Sequence, residues 1–198
     1  MAAEYILAIQ TIVSRENPPL DPAVVTVGSI HGGNKHNIIP DEVHLQISVR
    51  AYKEEVRLRI LASLDRIARG IALAAGVPED RAPIVKVSDT EVTPATYNDP
   101  ALTARVATAM KAELDAENVL ALDPVMGSED FGQLGLHNHQ IPTMMFRVGT
   151  MDVERIAKSK QTGVPLPSLH SGLFWPVPEP TIRTAVRAMS AAVMDLMK

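Results

Sequence analysis

Ile30-His31-Gly32-Gly33-Asn34-Lys35-His36-Asn37-Ile38-Ile39-Pro40-Asp41-Glu42-Val43-His44-Leu45-Gln46-Ile47-Ser48-Val49-Arg50 decides how the chain is read. It opens on a glycine-rich bend and stops at Asn37 and Pro40. It then enters a strand whose faces are sharply sorted. Val43, Leu45, Ile47 and Val49 fall on one side and His44, Gln46, Ser48 and Arg50 on the other, the period-2 pattern of a half-buried strand. Burial on one face needs only the apolar half. An amide at the strand entrance and a guanidinium at its exit suit a small anionic or carbonyl-bearing ligand.

Before this stretch, Val24-Val25-Thr26-Val27-Gly28 reads as a second strand, able to pair with the first across the glycine-rich connection. Earlier still, Tyr5, Ile6, Ile9, Ile12 and Val13 recur at helical spacing until Asn17-Pro18-Pro19 stops them. After it, a helix beginning near Lys53 carries Val56, Ile60, Leu64, Ile67 and Ile71 inward. Arg57, Arg59, Asp65, Arg66 and Arg69 cover its wet side, and Gly76-Val77-Pro78 ends it. A further strand is expected at Ile84-Val85-Lys86-Val87. The order helix, strand, strand, helix, strand is a ferredoxin-like split βαβ arrangement without its first strand, which leaves an unpaired edge or an altered partner, and self-association is expected through the edge near Val24 to Val27 or through the first helix.

Thr93 to Pro100 reads as a linker dividing the chain at residues 1–93 and 94–198. Beyond it, Asn98 or Asp99 can cap a helix to about Leu114 with Leu102, Val106 and Met110 as its inner stripe. Ala121 to Phe131 reads as a loop and Thr143 to Val148 as a short buried strand. Gly149 to Leu169, with little periodicity, reads as a flap or tail. A last helix is expected after Pro180, with Ile182, Val186, Met189, Val193 and Leu196 facing inward.

Composition narrows the function classes. With 46% hydrophobic residues over 198 positions there is enough apolar material for a real core. A net charge of −4, with one Trp, three Tyr and three Phe, supplies neither the basic stripe nor the stacking platform that nucleic acid requires. The absence of cysteine excludes disulfides and thiolate metal sites and fits a reducing, cytoplasmic compartment. No apolar run is long enough to span a bilayer, so no membrane partner is expected.

Several residues could carry chemistry. His170, in Ser168-Leu169-His170-Ser171-Gly172, is either a surface histidine or a neutral imidazole ligand to a divalent metal. Gly127-Ser128-Glu129-Asp130 either caps a helix or places two carboxylates beside a metal or substrate pocket. Asn37 and Arg50 have ordinary readings as a turn amide and a surface ion pair. His31 and His36 lie in the glycine loop, where exposure is common. Glu54-Glu55 sits in a first helical turn and reads as structural. His137 and His139 flank Asn138 at i, i+2 and could share a metal on a strand.

In order along the chain, Gly28, Gly33, Asn37-Ile38-Ile39-Pro40-Asp41, Val49-Arg50, Met126-Gly127-Ser128-Glu129-Asp130-Phe131 and Leu169-His170-Ser171 resemble the aminoacylase/carboxypeptidase metallohydrolases. The branch they are most similar to is the amidohydrolases that include hippurate hydrolase and the indoleacetyl-amino-acid hydrolases. The resemblance implies a two-domain fold: a ferredoxin-like α+β lid that mediates dimerisation, residues 1–93 here, and the C-terminal part of an α/β zinc-peptidase-like catalytic domain, residues 94–198. It implies hydrolysis of the amide bond of N-acyl amino acids or small peptide-like substrates with two divalent ions (Zn, Mn, Co or Ni), which polarise the carbonyl and acidify a water. By position it makes Asn37, Arg50 and His31 substrate-binding, Glu129 and Asp130 part of the active-site region, and His170 a metal ligand. It also implies a homodimer through the lid.

The family pattern further requires a His-x-Asp pair, a Glu-Glu pair, another histidine and a lid histidine in a Ser-His-Ala block. The six histidines stand at 31, 36, 44, 137, 139 and 170, and none lies in such a motif. The chain thus reads as the C-terminal half of such an enzyme, binding metal at most partially and inactive alone. A non-catalytic dimerisation or ligand-binding remnant of that family is the alternative. A different small-molecule enzyme built around His31, His36 and Arg50 is a third.

Overall fold

The computed structural model describes residues 1–135 and 141–198, so His137 and His139 lie outside the described residues. The chain divides into two compact units, residues 1–96 with the segment that begins at Pro124, and residues 97–123 with 141–198. Each is mixed or helical in a way its side-chain pattern explains.

In the first unit, helix α1 (Ala2–Thr11) runs into a π-helical turn over Ile12–Glu16, and Asn17 leaves it in extended conformation. Strands β1 (Ala23–His31) and β2 (His44–Ala51) pair antiparallel, and helix α2 (Glu54–Ala74) follows. Ala23, Val25 and Val27 of β1 and Leu45, Ile47, Val49 and Ala51 of β2 turn toward a core of Tyr5, Ile9, Ile12, Val56, Ile60, Leu64 and Ala68. The alternation expected for β2 holds from His44 onward, with His44, Gln46, Ser48 and Arg50 all exposed, whereas Val43 precedes the strand and is itself exposed. Two polar ties close the helical layer. The Tyr5 hydroxyl donates to the Leu64 carbonyl at 3.2 Å, and burial pushes that phenol up from its ordinary value. Glu16 accepts from buried Ser63 at 2.8 Å and from Arg66 at 2.6 Å, and Arg66 and Ser63 hold its carboxyl below the ordinary value.

The register slips between Val27 and Ser29, where Gly28 is a bulge. The extra residue reverses the parity of β1. Val24 and Thr26 lie opposite Arg50 and Ser48 before it, and Ser29 and His31 lie opposite Gln46 and His44 after it. The connection that follows is glycine-dependent: Gly33 has φ +80, and a Cβ on Gly32 would meet Val43 Cγ2 at 2.8 Å.

The expected strand at Ile84–Val87 does not form. Val85 packs against the first core, while Ile84 and Val87 are exposed and no ladder is made. Alternation there reports which side chain is covered, not whether the backbone finds a partner.

The second unit holds helices α3 (Pro100–Leu114), α4 (Val153–Thr162) and α5 (Pro178–Leu196). Asp99 caps α3 by accepting from the Leu102 amide at 2.8 Å. Val106 and Met110 of α3 pack on Ala188 and Ala192 of α5, flanked by Leu102, Met144 and Phe146. Three expectations fail here. The stripe of Ile182, Val186, Met189, Val193 and Leu196 on α5 does not face inward: these residues are 61%, 59%, 53%, 44% and 44% exposed, and the small alanines make the contact. Thr143–Val148 forms no ladder, because its polar backbone is met largely by a side chain. The Asn98 amide donates to the Met145 carbonyl and accepts from the Met145 N–H, both at 2.8 Å, imitating a strand neighbour. The segment Gly149–Leu169 is not all irregular either. Asp152 caps α4 through the amides of Glu154 and Arg155, and Gly163 ends it at φ +71. That helix is polar on nearly every side, so it has no apolar period to betray it.

Candidate functional site

Arg50 closes β2, and its exposed guanidinium donates from Nη1 to the Met126 carbonyl at 2.5 Å. Met126 begins Met126-Gly127-Ser128-Glu129-Asp130-Phe131, so the strand and that block, 76 residues apart in sequence, meet within one unit. Two further contacts fix the block to the same unit. The Gln133 amide donates to the Val92 carbonyl at 2.8 Å. Gly132 is buried so close to the 94–95 backbone that a Cβ would stand 2.4 Å from the Pro94 carbonyl oxygen. Gln133 and Gly132 were not singled out from sequence, and a glycine one residue after Phe131 was the only signal. A 3₁₀ turn over Asp130–Gly135 follows, and Glu129 and Asp130 themselves are exposed.

A guanidinium has five N–H donors, so one bond to Met126 leaves capacity for a carboxylate. Asn37 is exposed in the loop between the strands, near a turn in which the Ile38 amide donates to Lys35. His31 ends β1 at the neck of that loop. From the loop's neck to Arg50 is the length of β2, about 20 Å. The structure therefore places Arg50 against the Met126 carbonyl, three residues before Glu129, and His31 at the neck of the loop of Asn37 at the other end of the strand.

His170 stands in the second unit, exposed, at φ +66. A histidine in the left-handed region is uncommon and costs about 1–3 kcal/mol. It is held there by a double turn in which the Ser171 amide donates to Ser168 at 3.2 Å and the Phe174 amide to Ser171 at 3.0 Å. The flanks are anchored: the Val177 amide donates to Thr150 at 2.8 Å, and Arg155 to the Trp175 carbonyl at 3.2 Å. Among the described residues no three histidine, aspartate or glutamate side chains are grouped so as to hold a metal ion. The described residues thus do not amount to a dinuclear centre.

Residues 1–75 match a family model described as the peptidase dimerisation domain of the M20 family. N-acetyldiaminopimelate deacetylase of Leuconostoc citreum is 35% identical over 162 residues, covering 82% of this chain and 40% of that protein. Residues 1–75 are an M20-type peptidase dimerisation domain. Thermostable carboxypeptidase 2 of Saccharolobus solfataricus is 32% identical over 148 residues, or 75% of this chain and 35% of that one. A crystal structure described as an aminohydrolase from methicillin-resistant Staphylococcus aureus aligns over 100% of this chain and 46% of its own at a TM-score of 0.75 and 25% identity. A Bacillus subtilis structure described as a dinuclear metal-binding peptidase of the M20 family aligns over 100% of this chain and 45% of its own, at a TM-score of 0.60 and 18% identity, a likeness of fold. The chain spans about two fifths of the length of the curated relatives it matches. Among the described residues no helix is long and apolar enough to cross a membrane.

Proposed function

We propose that this chain is the lid and part of the catalytic domain of a metal-dependent amide hydrolase acting on N-acyl amino acids or small peptide-like substrates. Residues 1–93 serve as the lid and residues 94–198 as the catalytic portion. The observation that carries the reading is the bond from Arg50 to the Met126 carbonyl, which ties the end of β2 to the segment that leads into Glu129 and Asp130. The deacetylase and carboxypeptidase relatives support it, since both names describe amide cleavage next to an amino-acid carboxylate. In this reading Arg50 grips the carboxylate, Asn37 and His31 contribute from the loop side, and His170 offers one imidazole lone pair. Bound divalent ions would supply Lewis acidity toward the scissile carbonyl, and most of their ligands must be residues other than those described. Zinc is the ion we favour, by the imidazole chemistry of His170. A cysteine-free, mildly acidic chain suits the cytoplasm.

The same reading makes the protein a homodimer through the lid, supported by the dimerisation-domain match and by β1 and β2 forming a sheet of only two strands among the described residues. A non-catalytic dimerisation module is the second reading, favoured because the family model matches only residues 1–75. Titration of the 198-residue chain with N-acetyl amino acids, with Arg50→Ala and Asn37→Ala beside it, tests the first. Saturable binding lost in Arg50→Ala supports it. Equal binding by wild type and Arg50→Ala, or none by either, overturns it. Sedimentation giving a strict monomer at high concentration would remove the lid dimer.

A further inference from the structure

The end of the hairpin farthest from Arg50 carries a pair of side chains that the hydrolase reading does not use together. His31 and His44 are direct partners in the antiparallel ladder. The bulge at Gly28 is what makes them face the same way: without the extra residue, His31 would have fallen on the opposite face from His44. Side chains on this face do meet across the strands, for the neighbouring pair is joined by the Ser29 hydroxyl donating to Gln46 at 2.7 Å. Opposed residues of an antiparallel pair have Cβ atoms about 4.5–5.5 Å apart. Two imidazoles at that separation can turn ring nitrogens toward one ion at bond lengths of about 2.0–2.1 Å.

A third group prepares one of the rings. The Glu42 carboxylate lies 3.2 Å from His44 Nε2, and both side chains are largely exposed. At that distance the carboxylate faces Nε2 and leaves Nδ1, the other ring nitrogen, to turn toward an ion. A carboxylate that fixes the tautomer of a ligating histidine and raises its basicity is the usual outer partner of a metal-bound imidazole. Both rings are open to solvent, so water can fill the remaining positions on an ion.

We propose that His31 and His44 form a two-imidazole site for a late first-row divalent ion, with Glu42 orienting His44. An ion there would clamp the neck of the loop from Gly32 to Val43 and so restrict the segment that carries Asn37. Imidazole pairs without thiolate or a carboxylate cage select copper, nickel and zinc over magnesium and calcium. The site lies wholly within the hairpin and stands whether or not the hydrolase reading does.

The test is calorimetric titration of the untagged 198-residue chain with CuCl2 and, separately, ZnCl2. One saturable site per chain is expected, tighter for copper. His31→Ala and His44→Ala should each abolish it, and Glu42→Gln should weaken it roughly ten-fold or more. His36→Ala and His170→Ala should leave it intact. All three positions are exposed, so these variants should keep the fold, which far-ultraviolet circular dichroism checks. Copper should also broaden the ring-proton resonances of His31 and His44 together. No saturable binding at millimolar ion, wild-type binding in His31→Ala and His44→Ala, or binding lost only in His36→Ala or His170→Ala would each overturn the proposal. Loss of N-acyl amino acid binding in Arg50→Ala reports on the other site alone.

Discussion

The two units bury their helices in opposite ways. Around α1, the hairpin and α2, the core is made of large branched and aromatic side chains: Ile9, Ile12, Ile60 and Val56 are almost wholly covered. Between α3 and α5 the core is small on one side, with Ala188 and Ala192 set against Val106 and Met110. The large residues of α5 lie outside that contact. In the first unit the most apolar stripe and the buried stripe of α2 coincide. In α5 they are different stripes of one helix: the small alanines make the contact with α3, while the branched stripe stays about half exposed. A hydrophobic period marks a face suited to burial, and only packing says whether that face is the one in use.

Substitutions can break or sharpen this contrast. The largest effect is expected from Ile60→Ala, about 2–5 kcal/mol lost in urea unfolding, since it empties a filled site. Ala188→Leu comes next. A larger side chain at the close α3–α5 contact should cost about 1–3 kcal/mol, and a neutral result would show that the helices are not tightly apposed. Removing the cap with Asp99→Ala should cost about 1 kcal/mol and be read as lost helicity in the second unit.

A smaller, pH-dependent effect belongs to Glu16. Its carboxyl titrates below the ordinary value because Arg66 and Ser63 bond to the charged form. The stability it contributes is therefore complete above the ordinary glutamate value and falls away as pH drops through the lowered one. Glu16→Gln should flatten the acid limb of the stability curve, slightly, because Arg66 is mostly exposed. The smallest change is expected for Val186→Ala, within about 0.5 kcal/mol. A cost comparable with Ile60→Ala would mean that the outer face of α5 is covered after all, and the comparison would fail.

Much of the first unit was legible from local pattern alone. The β2 alternation, the stop at Asn17-Pro18-Pro19 and the inner stripe of α2 each depend on neighbours a few residues away, and each is seen. The second unit was legible where a cap announced itself, at Asp99, and illegible where a side chain did a strand's work, at Asn98. The candidate site divides the same way. Arg50, Asn37 and His170 stood out by residue type and place in a motif. That Arg50 bonds to Met126, that Gly132 lies against Pro94 and that His170 takes a left-handed backbone are contacts and conformations with no local period to announce them.

What the chain's order of residues determined by itself is the set of helices and strands with strong short-range preference, the polar and apolar rows of β2, and a peptidase dimerisation domain over residues 1–75. What only the tertiary structure decided is which surfaces meet. A single bulged glycine set His31 against His44, and a helix chose its alanines over its isoleucine and valines. The reason is physical: propensity and periodicity act over one or two turns of chain. Register, close approach and partner choice are settled by steric fit between segments that sequence leaves far apart.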